Sequence, residues 1–162
     1  MRYISNSPLQ TQEFAKKVLT KLKGKNPICL YGELGSGKTT FVQGLARALG
    51  VKKRVISPTF ILMRSYQLPV TSYQKRGDWR LATGDWQHLI HLDCYRIESE
   101  KDLKSFDLKE LCEDKKNLVV IEWAEKLKKI LPKGRIDIEF EYAGRNKRKI
   151  LISCQPPVSS YQ

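Results

Sequence analysis

An α/β fold with parallel strands at its core and an antiparallel hairpin at its C-terminal end is what the sequence predicts, on three observations. The apolar run Ile28-Cys29-Leu30-Tyr31 passes through a glycine-rich stretch into a helical pattern. Two further apolar runs, Leu89 to Leu92 and Leu118-Val119-Val120-Ile121, each end in a carboxylate, Asp93 and Glu122. Near the end, Ile136, Ile138, Phe140 and Tyr142 alternate with charged residues, and so do Ile150, Ile152 and Cys154, which places Ala143-Gly144-Arg145-Asn146 at a hairpin turn.

Taken in order, residues 2–6 form a short strand. Ser7-Pro8 starts a helix, with Ser7 as cap and Pro8 in the first turn. Phe14, Ala15, Val18, Leu19 and Leu22 lie on one helical face, and Gly24 is expected to end the helix. Residues 27–31 form a buried strand. After the glycine-rich loop, Phe41, Leu45, Ala48 and Leu49 mark a second helix closed by Gly50. Ser57-Pro58-Thr59 interrupts what is otherwise a strand over residues 55–62, because proline lacks an N–H and restricts its predecessor. Residues 67–87 have no clear period and carry two exposed-looking tryptophans, Trp79 and Trp86, so they read as a long loop or irregular hairpin. Residues 98–114 read as one or two short helices with Leu103, Phe106, Leu108 and Leu111 inward, and residues 124–130 as another, stopped by Pro132.

With 162 residues the chain has the size of one domain, read as residues 1–155 with an insertion at about 67–88 and a frayed tail at 156–162. No apolar run approaches the roughly 20 residues that span a bilayer, and residues 1–7 lack a secretory pattern, so a cytoplasmic location and no membrane contact are expected. Cys29, Cys94, Cys112 and Cys154 form no C-x-x-C pair and read as buried thiols. His88 and His91, three apart on a strand, face opposite ways and share no metal. The net charge of +13 favours an anionic partner such as RNA or an acidic protein surface, or else marks a solvated lysine-rich surface. Lys75-Arg76-Gly77-Asp78-Trp79-Arg80 is the basic, aromatic core of the insertion, suited to RNA, a partner or nucleotide phosphates.

The chemistry concentrates in Gly32-Glu33-Leu34-Gly35-Ser36-Gly37-Lys38-Thr39, a complete G-x-x-x-x-G-K-[ST] between strand and helix. Glycines let successive amides curl inward toward phosphate oxygens, and the following helix adds partial positive charge. Lys38 then reaches the β/γ-phosphates, and the Thr39 hydroxyl ligates Mg²⁺. A carboxylate at the end of a parallel strand sits at the same sheet edge, so Asp93 or Glu122 can bind Mg²⁺ or its waters; the plainer reading is an acid capping a turn. Thr59, on the Ser-Pro-Thr break, is placed to sense a γ-phosphate or metal, or is simply a turn residue.

With these residues, and with His91-Leu92-Asp93-Cys94-Tyr95-Arg96, Ile121-Glu122-Trp123 and Gly144-Arg145, the chain resembles the TsaE (YjeE) family, small bacterial ATPases of tRNA threonylcarbamoyladenosine biosynthesis. The resemblance implies a P-loop NTPase three-layer sandwich with a mixed sheet. It places ATP on Leu34, Gly35, Ser36, Gly37, Lys38, Thr39 and Thr40, and Mg²⁺ on Thr39 with Glu122. It also makes Asp93 a second acid near the metal and the attacking water, Thr59 a switch-like threonine, and Trp123, Glu125 and Gly144 residues near the nucleotide. Catalysis then rests on Lys38, Asp93, Glu122 and Thr59. The implied activity is ATP hydrolysis that resets the TsaB–TsaD pair, which itself transfers threonylcarbamoyl to adenosine 37 of tRNAs reading codons that start with A. Arg96 is the one nearby cationic candidate. The segment 68–88 and the basic charge exceed what the family leads one to expect, and tRNA is expected indirectly through the partners or directly through the basic surface. A small nucleotide or metabolite kinase with residues 67–87 as lid is the alternative, but no set of acceptor-holding arginines is visible. A guanine-reading N-K-x-D pattern is incomplete at Asn146-Lys147-Arg148-Lys149.

Overall fold

Four parallel strands form the middle of the sheet in the computed structural model, which describes residues 1–22, 26–69, 86–98, 100–103 and 107–154. The seven strands are β1 (Arg2–Ser5), β2 (Ile28–Tyr31), β3 (Met63–Gln67), β4 (His88–Asp93), β5 (Asn117–Glu122), β6 (Ile136–Tyr142) and β7 (Arg148–Cys154). Their order across the sheet is β1-β7-β6-β2-β5-β4-β3. β6, β2, β5 and β4 run parallel, while β3 adds antiparallel to β4, β7 to β6 and β1 to β7. The sheet is therefore mixed with a parallel core, and the C-terminal hairpin is part of it.

Alternation along the central strands explains why both faces are covered. In β2, Ile28 and Leu30 join one apolar cluster and Cys29 the other; in β5, Leu118 and Val120 join the first and Val119 and Ile121 the second. Strands buried on both sides read as continuous apolar runs for this reason. The helices α1 (Pro8–Leu19) and α2 (Lys38–Ala48) cover the first face through residues such as Phe14, Val18, Phe41 and Leu45. Burying each large side chain of this kind contributes roughly 1.5–3 kcal/mol. The second face is covered by a 3-10 turn at Glu100–Leu103, α3 (Leu108–Glu113) and a 3-10 turn at Ala124–Leu127, through Leu103, Leu108 and Leu127.

Local chemistry sets the helix ends. The Ser7 hydroxyl accepts the Gln10 amide at 3.2 Å, with Pro8 in the first turn, as the sequence predicts. The helix closes at Leu19 rather than Gly24: Lys21 N and Leu22 N turn back onto the Val18 and Leu19 carbonyls at 2.9 and 3.2 Å, tightening the end while Leu22 stays buried. Gly24 lies outside the described residues, as do Phe106, the basic segment 75–80 with Trp79, and the tail 156–162. Gly50 takes φ 81° after α2, the expected left-handed terminator.

Other expectations are corrected. Residues 55–62 form no strand, and Leu62 at φ 64° turns the chain into β3, an edge strand that a proline-broken run did not announce. Trp86 is partly buried against the first cluster rather than exposed. Residues 124–130 give only the short 3-10 turn. Cys29 and Cys94 are buried, but Cys112 is partly exposed and Cys154, at the end of β7, is exposed. Among the described residues no helix is long and apolar enough to cross a membrane.

Candidate functional site

Because β2, β4, β5 and β6 are parallel, their C-terminal ends meet at one sheet edge, where open α/β sheets bind ligands. The loop after β2 is shaped by glycine at Gly32, φ 133°, where a Cβ would lie 2.4 Å from the Phe140 carbonyl oxygen, and at Gly37, φ 106°, the left-handed residue before α2. Gly37 brings no capping side chain, so the first amides of α2 are left for another acceptor.

Lys38 is almost fully buried. Its ammonium donates to the Gly32 and Glu33 carbonyls at 2.6 and 2.9 Å and lies 3.8 Å from the centre of the Trp123 ring. Burial pulls its pKa below the ordinary lysine value, opposed by the Glu122, Glu125 and Asp93 carboxylates. Trp123 reaches it because the chain turns there through φ 58°, an uncommon conformation for a bulky residue.

Asp93 and Glu122 are register partners at the ends of β4 and β5, 3% and 2% exposed. Buried carboxylates need partners, and each has its own set. Glu122 accepts the Thr39 hydroxyl at 2.9 Å through one oxygen, and its other oxygen lies 2.7 Å from His91 Nε2. Asp93 accepts the Thr59 hydroxyl at 2.6 Å, the Ser57 hydroxyl, and the Tyr95 amide at 3.0 Å. A cavity of about 270 Å³ opens between these groups and the loop.

Leu34, Gly35, Gly37, Lys38, Thr39 and Thr40 line this cavity on the loop side, and Thr59, Asp93, Glu122 and Trp123 face them. Ser36 is buried behind the loop. Glu125 is exposed on the 3-10 turn, close enough for its charge to act on Lys38, and Gly144 lies in the hairpin turn, outside the cavity wall. Ser57 and Tyr95 also line the cavity and His91 supports Glu122; of these, strand alternation offered a sign only for His91, two residues before Asp93. Arg96 stacks on the exposed Phe60 ring at 4.4 Å. Among the described residues, the arginine that touches the loop is instead Arg148, whose Nε and Nη2 donate to the Ser36 and Gly35 carbonyls at 3.1 and 3.2 Å.

Thr39, Glu122 and Asp93 offer hard oxygen donors, the set that suits Mg²⁺. Among the described residues no three or more His, Cys, Asp or Glu side chains are arranged to hold a metal by themselves. Few protein ligands fit an ion that keeps waters and shares phosphate oxygens.

A family model described as threonylcarbamoyl adenosine biosynthesis protein TsaE matches residues 5–150. The tRNA threonylcarbamoyladenosine biosynthesis protein TsaE of Aquifex aeolicus is 36% identical over 151 residues, covering 92% of each chain. The protein of that name from Bacillus subtilis is 30% identical over 154 residues, covering 95% of this chain and 85% of the relative. The crystal structure of Bacillus subtilis YdiB superposes with a TM-score of 0.63 at 25% identity, covering 96% of this chain and 84% of that one.

Proposed function

The chain belongs to the TsaE family of threonylcarbamoyl adenosine biosynthesis proteins, and from that premise we propose that it is an Mg²⁺-dependent ATP hydrolase acting with the TsaB–TsaD pair. The observation that carries this reading is the Thr39–Glu122 hydrogen bond of 2.9 Å, beside Lys38 and Asp93 on one cavity at the sheet edge. It joins the loop threonine to a strand-end acid, the pairing a nucleotide-bound magnesium needs.

In this reading residues 1–155 act as one P-loop NTPase domain with helices on both sides of the sheet. The loop amides and Lys38 bind the phosphates of ATP, and Lys38 must release its two carbonyls to do so. Thr39 and Glu122 would hold Mg²⁺, which would neutralise charge on the phosphate oxygens. Asp93, fixed by Thr59 and Ser57, orients the attacking water and accepts its proton. Trp123 covers the Lys38 side of the site, and Glu125 adds negative charge at its mouth. Hydrolysis resets the TsaB–TsaD pair, which modifies adenosine 37 of tRNAs reading ANN codons in the cytoplasm; contact with tRNA itself runs through those partners.

The test is ATP hydrolysis measured with and without the TsaB–TsaD pair and tRNA, for the wild type and Lys38→Ala. Stimulation by the partners that Lys38→Ala abolishes is the expected result. Absence of stimulation, or transfer of phosphate to a small acceptor as in a kinase, overturns the proposal.

A further inference from the structure

Three successive carbonyls of the glycine-rich loop are held from outside by two side chains of the C-terminal hairpin. The Tyr142 hydroxyl donates to the Leu34 carbonyl at 2.6 Å, Arg148 Nη2 to Gly35 at 3.2 Å and Arg148 Nε to Ser36 at 3.1 Å. Both donors are themselves fixed. Arg148 Nη1 donates to the Lys147 carbonyl at 2.8 Å, and the guanidinium lies 4.4 Å from the centre of the Tyr142 ring. The fit is close on the loop side as well: a Cβ on Gly35 would lie 2.7 Å from the Tyr142 hydroxyl, and one on Gly37 3.9 Å from Arg148 Cγ.

The geometry of the peptide bond gives these contacts a consequence. In a planar trans peptide the carbonyl of one residue and the N–H of the next point in opposite directions. Drawing the Leu34 and Ser36 carbonyls toward the hairpin therefore turns the Gly35 and Gly37 amides away from it, and both glycines line the cavity. The Gly35 carbonyl is held likewise, while the Ser36 amide closes the loop onto Glu33 at 3.1 Å.

We propose that Tyr142 and Arg148 are positioning residues that hold residues 34–37 in the shape that accepts phosphate, so that nucleotide affinity depends on them although neither lines the cavity. This rests on the reading of the loop as the phosphate site. An arginine acting only by its charge is replaceable by lysine. One acting through its planar fork on two carbonyls is not, because an ammonium is a single point of donation. Tyr142 is half exposed, so replacing it with phenylalanine removes one hydroxyl without disturbing the core.

The experiment measures Mg-ATP binding by calorimetry and hydrogen exchange of the loop amides, on the full chain, for wild type, Lys38→Ala, Arg148→Lys and Tyr142→Phe. If the wild type binds no ATP, or Lys38→Ala binds as tightly, the phosphate-site reading falls and the proposal with it. Given binding that depends on Lys38, Arg148→Lys and Tyr142→Phe are each expected to weaken it about tenfold and to speed exchange at residues 34–37, with exchange in the sheet unchanged. Affinities within twofold of wild type, or loop exchange that does not change, overturn the proposal alone.

Discussion

Asp93 and Glu122 face each other across two neighbouring parallel strands, yet they serve different hydroxyls: Glu122 takes Thr39 from the first turn of α2, and Asp93 takes Thr59 and Ser57 from the segment before β3. Two acids that the sequence presents in the same form are thereby separated, one toward the start of α2 and one toward the Ser57–Thr59 segment.

That division predicts different failures. Glu122→Gln is expected to raise the Mg²⁺ concentration needed for half-maximal hydrolysis, whereas Asp93→Asn leaves Mg-dependent ATP binding intact and lowers turnover by about a hundredfold, as loss of a general base does. Titrating Mg²⁺ against both binding and turnover for the two variants checks this. Identical Mg²⁺ profiles would contradict the division of roles.

Lys38 is a buried lysine whose burial works against its charged form, so, on the proposed function, Lys38→Met is expected to abolish ATP binding without lowering the stability of the free protein. The pH dependence follows from its lowered pKa. The folded state releases this proton before the unfolded chain does, so between the lowered value and 10.5 the unfolded chain binds more protons and wild-type stability rises with pH. The wild type should therefore gain on Lys38→Met as pH climbs toward 10.5, read as the difference between their thermal midpoints.

His91 is fully buried and supports Glu122 at 2.7 Å. His91→Phe leaves a buried carboxylate oxygen without that partner and is expected to destabilise the fold by about 1–3 kcal/mol. His91→Gln, which keeps a donor at similar reach, should recover part of the loss. Urea unfolding of the three proteins decides it, and equal midpoints for all three would show that the contact contributes nothing.

Gly44 sits inside α2, where alanine is ordinarily better by about 1 kcal/mol. Here a Cβ would lie 2.5 Å from Gln12 Cα and 2.6 Å from its carbonyl oxygen, and the backbone of α1 cannot yield as a side chain does. Gly44→Ala is expected to lower stability by about 1–3 kcal/mol through overpacking. An unchanged or raised unfolding midpoint in chemical denaturation would count against this helix contact.

What could be seen in the sequence was what local chemistry dictates. The Ser7 cap, the Gly50 terminator, the two acid-tipped strands and the alternating hairpin each carry their signal within a few residues. Membership of the sheet was harder to see: β3 pairs as an antiparallel edge only because β4 offers its free side, and Met63–Gln67 carries little apolar pattern of its own. The site divides in the same way. Lys38, Thr39, Asp93 and Glu122 were found by motif, while Arg148 and Tyr142 are ordinary strand residues until the fold brings them over 100 residues back to the loop. Arg96 stands three residues after Asp93 in the motif, but its guanidinium goes to the Phe60 ring.

The strand order β1-β7-β6-β2 has a consequence for how the chain comes into being. On a ribosome, Arg2–Ser5 emerges ahead of the other six strands, yet among the described residues its partner in the sheet is β7, residues 148–154. The same late strand delivers Arg148 to the loop. A nascent chain that has released the entire glycine-rich loop still lacks the Tyr142 and Arg148 contacts to its carbonyls, and N-terminal fragments that keep the loop, Asp93 and Glu122 lack them too.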